Sequence, residues 1–245
     1  MAVTVRFIGS GDAFGDGGRF QACILVSDGH SNVLLDCGAS SLVSMKQQGV
    51  EPNDIEHVVI SHLHGDHFGG LPFLILDGQF RQRTSDLHIV GPPETEGRLV
   101  AAMEALYPNS SRTERRFQVT YSELAEGQPV ACGDATVTGF EVTHGSGAPA
   151  FATRLELGGS VVGYSGDAEW GAGLVSAAEG AGLFICECYG AGRPVRNHID
   201  YETLEAHRDE LRCDRLILTH MGPAMLEKID DIPFECARDG LVLDL

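Results

Sequence analysis

The chain has 245 residues, 43% of them hydrophobic, enough for one sizeable core, and no apolar window approaches the roughly 20 residues a membrane span requires. It carries 35 Asp and Glu against 17 Lys and Arg, a formal charge of -18. A surface of that sign repels long phosphate backbones, whose binding depends on Lys and Arg releasing counterions, so large RNA or DNA is an unfavourable partner. The start "MAVTVRFIGSG" lacks the basic and apolar regions of a signal peptide. The seven cysteines (23, 37, 132, 186, 188, 213 and 236) include no CxxC pair, and they read as reduced, mostly buried thiols. The expected location is the cytoplasm.

In chain order, "VTVRFIG" (3–9), "ACILVSD" (22–28), "NVLLDCG" (32–38), "HVVIS" (57–61) and "LHIVG" (87–91) read as strands, each bounded by Gly, Asp or Ser. Helical patterns cover 39–48, 69–79 and 94–107. The second half repeats the scheme: "PVACGDATVTGFEVT", "FATRLEL", a Gly158-Gly159 turn, "SVVGYSG", a helix near 171–180, "LFICECY", a helix over 201–211, then "RLILT". The "CEC" within "LFICECY" reads as part of a buried strand. No linker or low-complexity stretch divides the chain, so residues 1–245 are expected to form a single domain. Two strand sets, each followed by alternating α and β units, predict two mixed sheets face to face with helices outside, an α/β four-layer αββα sandwich. "GSGDAFG" (9–15) has GxGxxxG spacing and reads as a tight glycine loop rather than a dinucleotide fingerprint.

"ISHLHGDHFGG" (60–70) concentrates His62, His64, Asp66 and His67 directly after a strand, where open α/β folds place side chains into a ligand crevice. His62 and His64 can share one ion, with Asp66 and His67 turned toward a second. Each ion wants at least three protein ligands and an open position for water, so others must come from elsewhere. His144 in "FEVTHGSG", Asp167 in "VVGYSGDAEW" and His220 in "RLILTHMG" each end a strand-like run. Asp36 in "LLDCG" either orients a ligand histidine or simply closes its strand.

With HxHxDH after a strand, then a strand-end His, an "SGD" Asp and a late "TH", the chain resembles the metallo-β-lactamase superfamily, from "FIGSGDAF" through "LLDCG" to "LTHMG". The resemblance implies the metallo-β-lactamase fold and two divalent ions. Zinc leads, with Mn, Fe or Co compatible. His62, His64 and His144 would hold one ion, Asp66, His67 and His220 the other, and Asp167 together with a hydroxide would bridge them. Homodimers are common in that superfamily.

His198, in "GRPVRNHIDYETLEAHRDEL", is not needed for the metals. Its place upstream of His220 resembles the phosphodiesterase branch, which includes tRNase Z and hydrolases of small cyclic phosphodiesters. By that resemblance His198 donates a proton to the leaving oxygen or stabilises charge on the transferring group. The catalytic assignment is Asp66 and His198. The long tRNase Z arm between the third histidine and the bridging Asp has no counterpart, because residues 145–166 read as a hairpin, and the chain reads "HID" where that family has a Thr. The expectation is therefore a binuclear metal phosphodiesterase acting on a small or cyclic diester. The competing readings are a lactone, ester or β-lactam-type hydrolase on the same centre, tRNA 3′ processing, and a metal-stabilised binding protein. His30, His57, His88 and His207 read as structural or solvated. Tyr107 and Phe117 offer aromatic faces for a base or for the core.

Overall fold

The computed structural model describes residues 2–245. In the first sheet, β1 (Thr4–Gly9), β2 (Cys23–Ser27) and β3 (Asn32–Leu35) form an antiparallel meander, which β4 (His57–Val59), β5 (Leu87–Gly91) and β6 (Val119–Glu123) extend in parallel. The last strand, β14 (Val242–Asp244), returns antiparallel to β1 and closes the other edge. The second sheet mirrors this plan. Strands β7 (Pro129–Cys132), β8 (Ala135–Val142), β9 (Ala150–Leu157) and β10 (Ser160–Tyr164) are antiparallel, and β11 (Leu183–Glu187), β12 (Leu216–Thr219) and β13 (Glu235–Cys236) continue in parallel.

Three apolar layers hold the molecule together. Between the sheets, Phe7, Val26 and Leu35 of the first face Phe151, Leu155 and Tyr164 of the second, and the same core takes in Val3 and Leu243 near the two ends of the chain. Outside the first sheet, Met45 of α1 (Ser41–Gln47), Leu71 and Ile75 of α3 (Leu71–Phe80) and Leu99 and Met103 of α4 (Thr95–Leu106) cover Val58, Ile60 and Ile89. Outside the second, Leu174 and Ala177 of α5 (Ala172–Ala178), Leu204 of α6 (Tyr201–His207) and Met225 of α7 (Pro223–Leu226) cover Phe184, Cys186 and Leu218. Alternation along each strand sends odd and even residues to different layers, which is how β4 supplies Val59 to one core and Val58 to the other. The expected αββα sandwich is the fold observed.

Several boundaries shift for local reasons. The helix expected over 69–79 begins at Leu71, and a separate turn of helix, α2 (Gly65–Phe68), lies inside the histidine loop itself. The 201–211 segment is α-helical only to His207 and ends in a 3-10 turn. "PVACGDATVTGFEVT" is two strands, because Gly133 takes a left-handed φ of 64° and turns the chain between Cys132 and Ala135. Strands β6, β13 and β14 and helix α7 had no expectation. β6 is a half-exposed sheet edge without clean alternation, and the others span four residues or fewer.

Candidate active site

Loops following β4, β8, β10, β11 and β12 converge at one end of the sandwich. The apolar β4 delivers Ser61 and the histidine loop, and α2 then carries Asp66 and His67 inward, both buried. His144 follows β8, Asp167 follows β10, and His220 follows β12 with a left-handed φ of 54° while its N–H donates to the Ser10 carbonyl at 3.1 Å. A buried non-glycine residue in that conformation is held there by its surroundings.

The seven sequence-predicted ligands assemble into two adjoining groups. One ring nitrogen each from His62, His64 and His144 lie within 4.8 Å of one another, and so do one donor atom each from Asp66, His67, Asp167 and His220. Asp167 stands between the groups. Its Oδ2 lies 3.9 Å from Nε2 of both His62 and His144, and its Oδ1 lies 3.2 Å from His67 Nε2 and 3.3 Å from His220 Nδ1.

A ring of polar groups behind these side chains sets which nitrogen faces the cleft. Asp36, fully buried in a left-handed turn after β3, accepts from Ser61 N, Ser61 Oγ and Tyr164 OH, each at 2.8 Å, and meets His67 Nδ1 at 2.6 Å. His67 must therefore present Nε2 to the cleft. Because the Ser61 hydroxyl proton goes to Asp36, its oxygen is left to accept from His62 Nδ1 at 3.1 Å, again freeing Nε2. His144 Nδ1 donates to the Asn197 carbonyl at 2.8 Å, so its Nε2 points to His64 Nδ1, 3.0 Å away. Of the two roles open to Asp36, the structure shows the orienting one.

Among the described residues, His62 Nε2, His67 Nε2, Asp167 Oδ1 and His220 Nδ1 are buried without a hydrogen-bond partner, and the close approaches at Asp167 lack hydrogen-bond geometry. Buried polar atoms are rarely left so, and several converging on one another fit a bound cation. Burial holds the imidazoles of His62, His144 and His220 below their ordinary range, so they offer lone pairs at neutral pH. At His67 burial pulls the same way, but the carboxylates of Asp167, Asp66 and Asp36 outweigh it and raise its pKa. Three carboxylates around one imidazole make a negative pocket, and the donor set of imidazole and carboxylate suits a divalent ion such as zinc.

His198 closes one side. Its Nδ1 meets Glu187 Oε1 at 3.1 Å, Tyr189 stacks on its ring at 4.8 Å, and Asp167 Oδ2 is 3.9 Å away. Glu187, fully buried at the end of β11, also accepts from Ala168 N at 2.7 Å. Burial pushes its carboxyl up to about 7. Burial alone would lower His198, but the hydrogen bond and charge of Glu187 raise it to about 9. The pair therefore keeps a proton on the imidazole at neutral pH.

The resulting cleft has a volume of about 340 Å3, and its rim includes Phe14, Tyr189, Val195 and Arg196. Glu187 was read only as part of a buried strand. The signal was present, since a carboxylate inside "LFICEC" needs a partner to offset its desolvation. Phe117 is buried beneath the first sheet's helices, and Tyr107 packs against Phe73 outside the cleft, so the exposed aromatic at the mouth is Phe14. His30 is exposed, and His207 stacks on Trp170.

A family model described as anti-Pycsar protein Apyc1 matches residues 3–235. The chain belongs to that family. This Apyc1-family chain is 29% identical over 128 residues to the ribonuclease Z of Lachnoclostridium phytofermentans, a match covering 52% of this chain and 40% of that relative. The matched stretch is thus less than half of the curated relative's length. The metallo-β-lactamase fold protein YhfI from Bacillus subtilis superposes with a TM-score of 0.79 at 22% identity, covering 100% of this chain and 99% of that one. The short form of human tRNase Z superposes at 0.77 and 22% identity, covering 98% of each chain. The Apyc1-family chain therefore has the metallo-β-lactamase fold. No helix among its described residues is long and apolar enough to cross a membrane.

Proposed function

We propose that the chain is a phosphodiesterase of small or cyclic diesters, working as one hydrolase unit over residues 1–245 in the cytoplasm. His62, His64 and His144 would hold one divalent ion, Asp66, His67 and His220 a second, and Asp167 would be shared between them. When bound, the ions would neutralise charge on the diester and activate water at neutral pH.

The observation that carries the reading is the His198–Glu187 pair beside Asp167. With Nδ1 engaged by Glu187, His198 offers its other nitrogen to the leaving oxygen. Water oxygen bonds to phosphorus and gives up a proton to solvent, the bond from phosphorus to the leaving oxygen breaks, and His198 supplies the proton that lets the oxygen depart as an alcohol, then regains one from solvent. Asp66, with Oδ2 at 3.3 Å from His67 Nε2, orients the attacking water. An ester or lactone expels its alkoxide more easily, from a tetrahedral intermediate, and depends less on such an acid, which favours the diester. A cleft of about 340 Å3 suits a compact substrate. Residues 145–166 hold the β9–β10 hairpin in place of a tRNA-binding arm, and the charge of -18 also disfavours a long polyanion.

The test is hydrolysis of cyclic nucleotides and of bis(p-nitrophenyl) phosphate by wild type and His198→Ala. A loss of at least about 10²-fold on the cyclic diesters is expected. Turnover of precursor tRNA but of no small diester would replace this reading with tRNA processing, and turnover of esters or lactones alone would replace it with carbonyl hydrolysis.

A further inference from the structure

At the end of the sandwich opposite the cleft, three residues with no part in the chemistry above come together. His57 and His88 are aligned partners on the parallel strands β4 and β5, and they share the face that sends Val59 and Val90 into the inter-sheet core. Cys132, the last residue of β7 in the other sheet, is fully buried in that same core. One ring nitrogen from each histidine and Cys132 Sγ all lie within 4.8 Å of one another. His57 opens β4 whereas His62 follows it, so five residues of near-extended chain, roughly 16 Å, separate this cluster from the cleft.

The cluster is shaped for a ligand it does not itself supply. His57 Nδ1 is buried and has no hydrogen-bond partner. His88 Nε2 is taken by Ser122 Oγ at 2.9 Å, which leaves Nδ1 of that ring free. The two rings stand nearly perpendicular, at 86°, with centroids 6.0 Å apart, so they do not stack on each other. Beside Cys132, Gly133 has room for the His57 ring only because it lacks a side chain, since a Cβ there would lie 2.3 Å from His57 Nε2. Burial keeps both imidazoles below their ordinary range, so they carry lone pairs at neutral pH. The carboxylates of Glu56 and Asp134 act on His57 with negative potential, which the charge of Arg83 opposes.

We propose that His57, His88 and Cys132 form a second metal site, separate from the catalytic cleft, which takes one zinc-class divalent ion and clips the two sheets together. One thiolate and two imidazoles select a borderline-soft ion over magnesium or calcium, with water completing the fourth position. On binding, the Cys132 S–H bond breaks, sulfur bonds to the metal, and the proton leaves to solvent. The inference does not depend on the phosphodiesterase reading, because the cleft's donors are imidazole and carboxylate only.

That difference in donors makes the site visible. Metal-stripped, full-length protein titrated with Co2+ should develop a thiolate-to-cobalt charge-transfer band in the near ultraviolet, its plateau corresponding to one thiolate-bound ion per chain whatever the cleft also takes up. The band should vanish in Cys132→Ser. In His57→Gln, a half-exposed position, Co2+ affinity read from the same band should fall at least about 10-fold. Zinc should raise the Tm of wild type by more than it raises that of His57→Gln, since ions in the cleft stabilise both proteins alike. Absence of the band in wild type, or its persistence in Cys132→Ser, would overturn the proposal whatever the activity of the cleft.

Discussion

Replacing Glu187 with Gln removes one charge from a fully buried position at nearly constant volume. The Ala168 N–H keeps an acceptor, but His198 loses the carboxylate that holds its proton. The hydrogen bond and charge of Glu187 raise the His198 imidazole from its ordinary range near 6.5 to about 9. An acid with a raised folded pKa is active below that value and is lost as pH rises through it. The alkaline limb of kcat/KM should therefore lie near 9 in wild type. In Glu187→Gln it should move toward about 6.5. At pH 8 the protonated fraction would drop from most of the enzyme to a few per cent, a rate loss of about 30-fold. Bound dications would move both limbs downward together, so the separation between the two profiles is the quantity to read. The assay is kcat/KM against pH for a diester with an alkoxide leaving group, alongside bis(p-nitrophenyl) phosphate, whose phenolate departs with little help. An unmoved alkaline limb, or an equal loss on both substrates, would refute the proton-donor assignment.

Asp36→Asn leaves every proposed ligand in place but weakens the 2.6 Å contact that aims His67, so affinity for zinc in the cleft should fall about 10- to 100-fold in a chelator competition titration. Phe14→Ala, at an 83% exposed position on the cleft rim, should raise KM for cyclic nucleotides several-fold and leave that for a non-aromatic diester unchanged. Phe151→Ala, in the core between the sheets, should cost about 3–5 kcal/mol in urea unfolding, with little effect expected from Val43→Ala on the exposed face of α1.

The candidate site was legible where the information is local. HxHxDH concentrates four donors into one turn after a strand, and His144, Asp167 and His220 each end a run whose apolar pattern announces a strand. The layer architecture followed from the same alternation. Groups that matter through contacts between distant strands were not legible. Ser61, Asp36 and Tyr164 form one network across β3, β4 and β10, yet each alone looks like an ordinary strand-end residue. Glu187 was hidden because an apolar strand reads as core whatever single charge it holds. From sequence His57 and His88 read as structural or solvated and Cys132 as a buried thiol, because their meeting depends on the β4–β5 register and on which sheet edge β7 occupies.

The most direct test of the central claim is anomalous diffraction from crystals of the zinc-loaded protein. Two peaks are expected in the cleft, about 3.5–4 Å apart, with Asp167 touching both, His62, His64 and His144 on one, and Asp66, His67 and His220 on the other. A single peak there would contradict the binuclear centre, and no peak at all would contradict the metal-dependent mechanism.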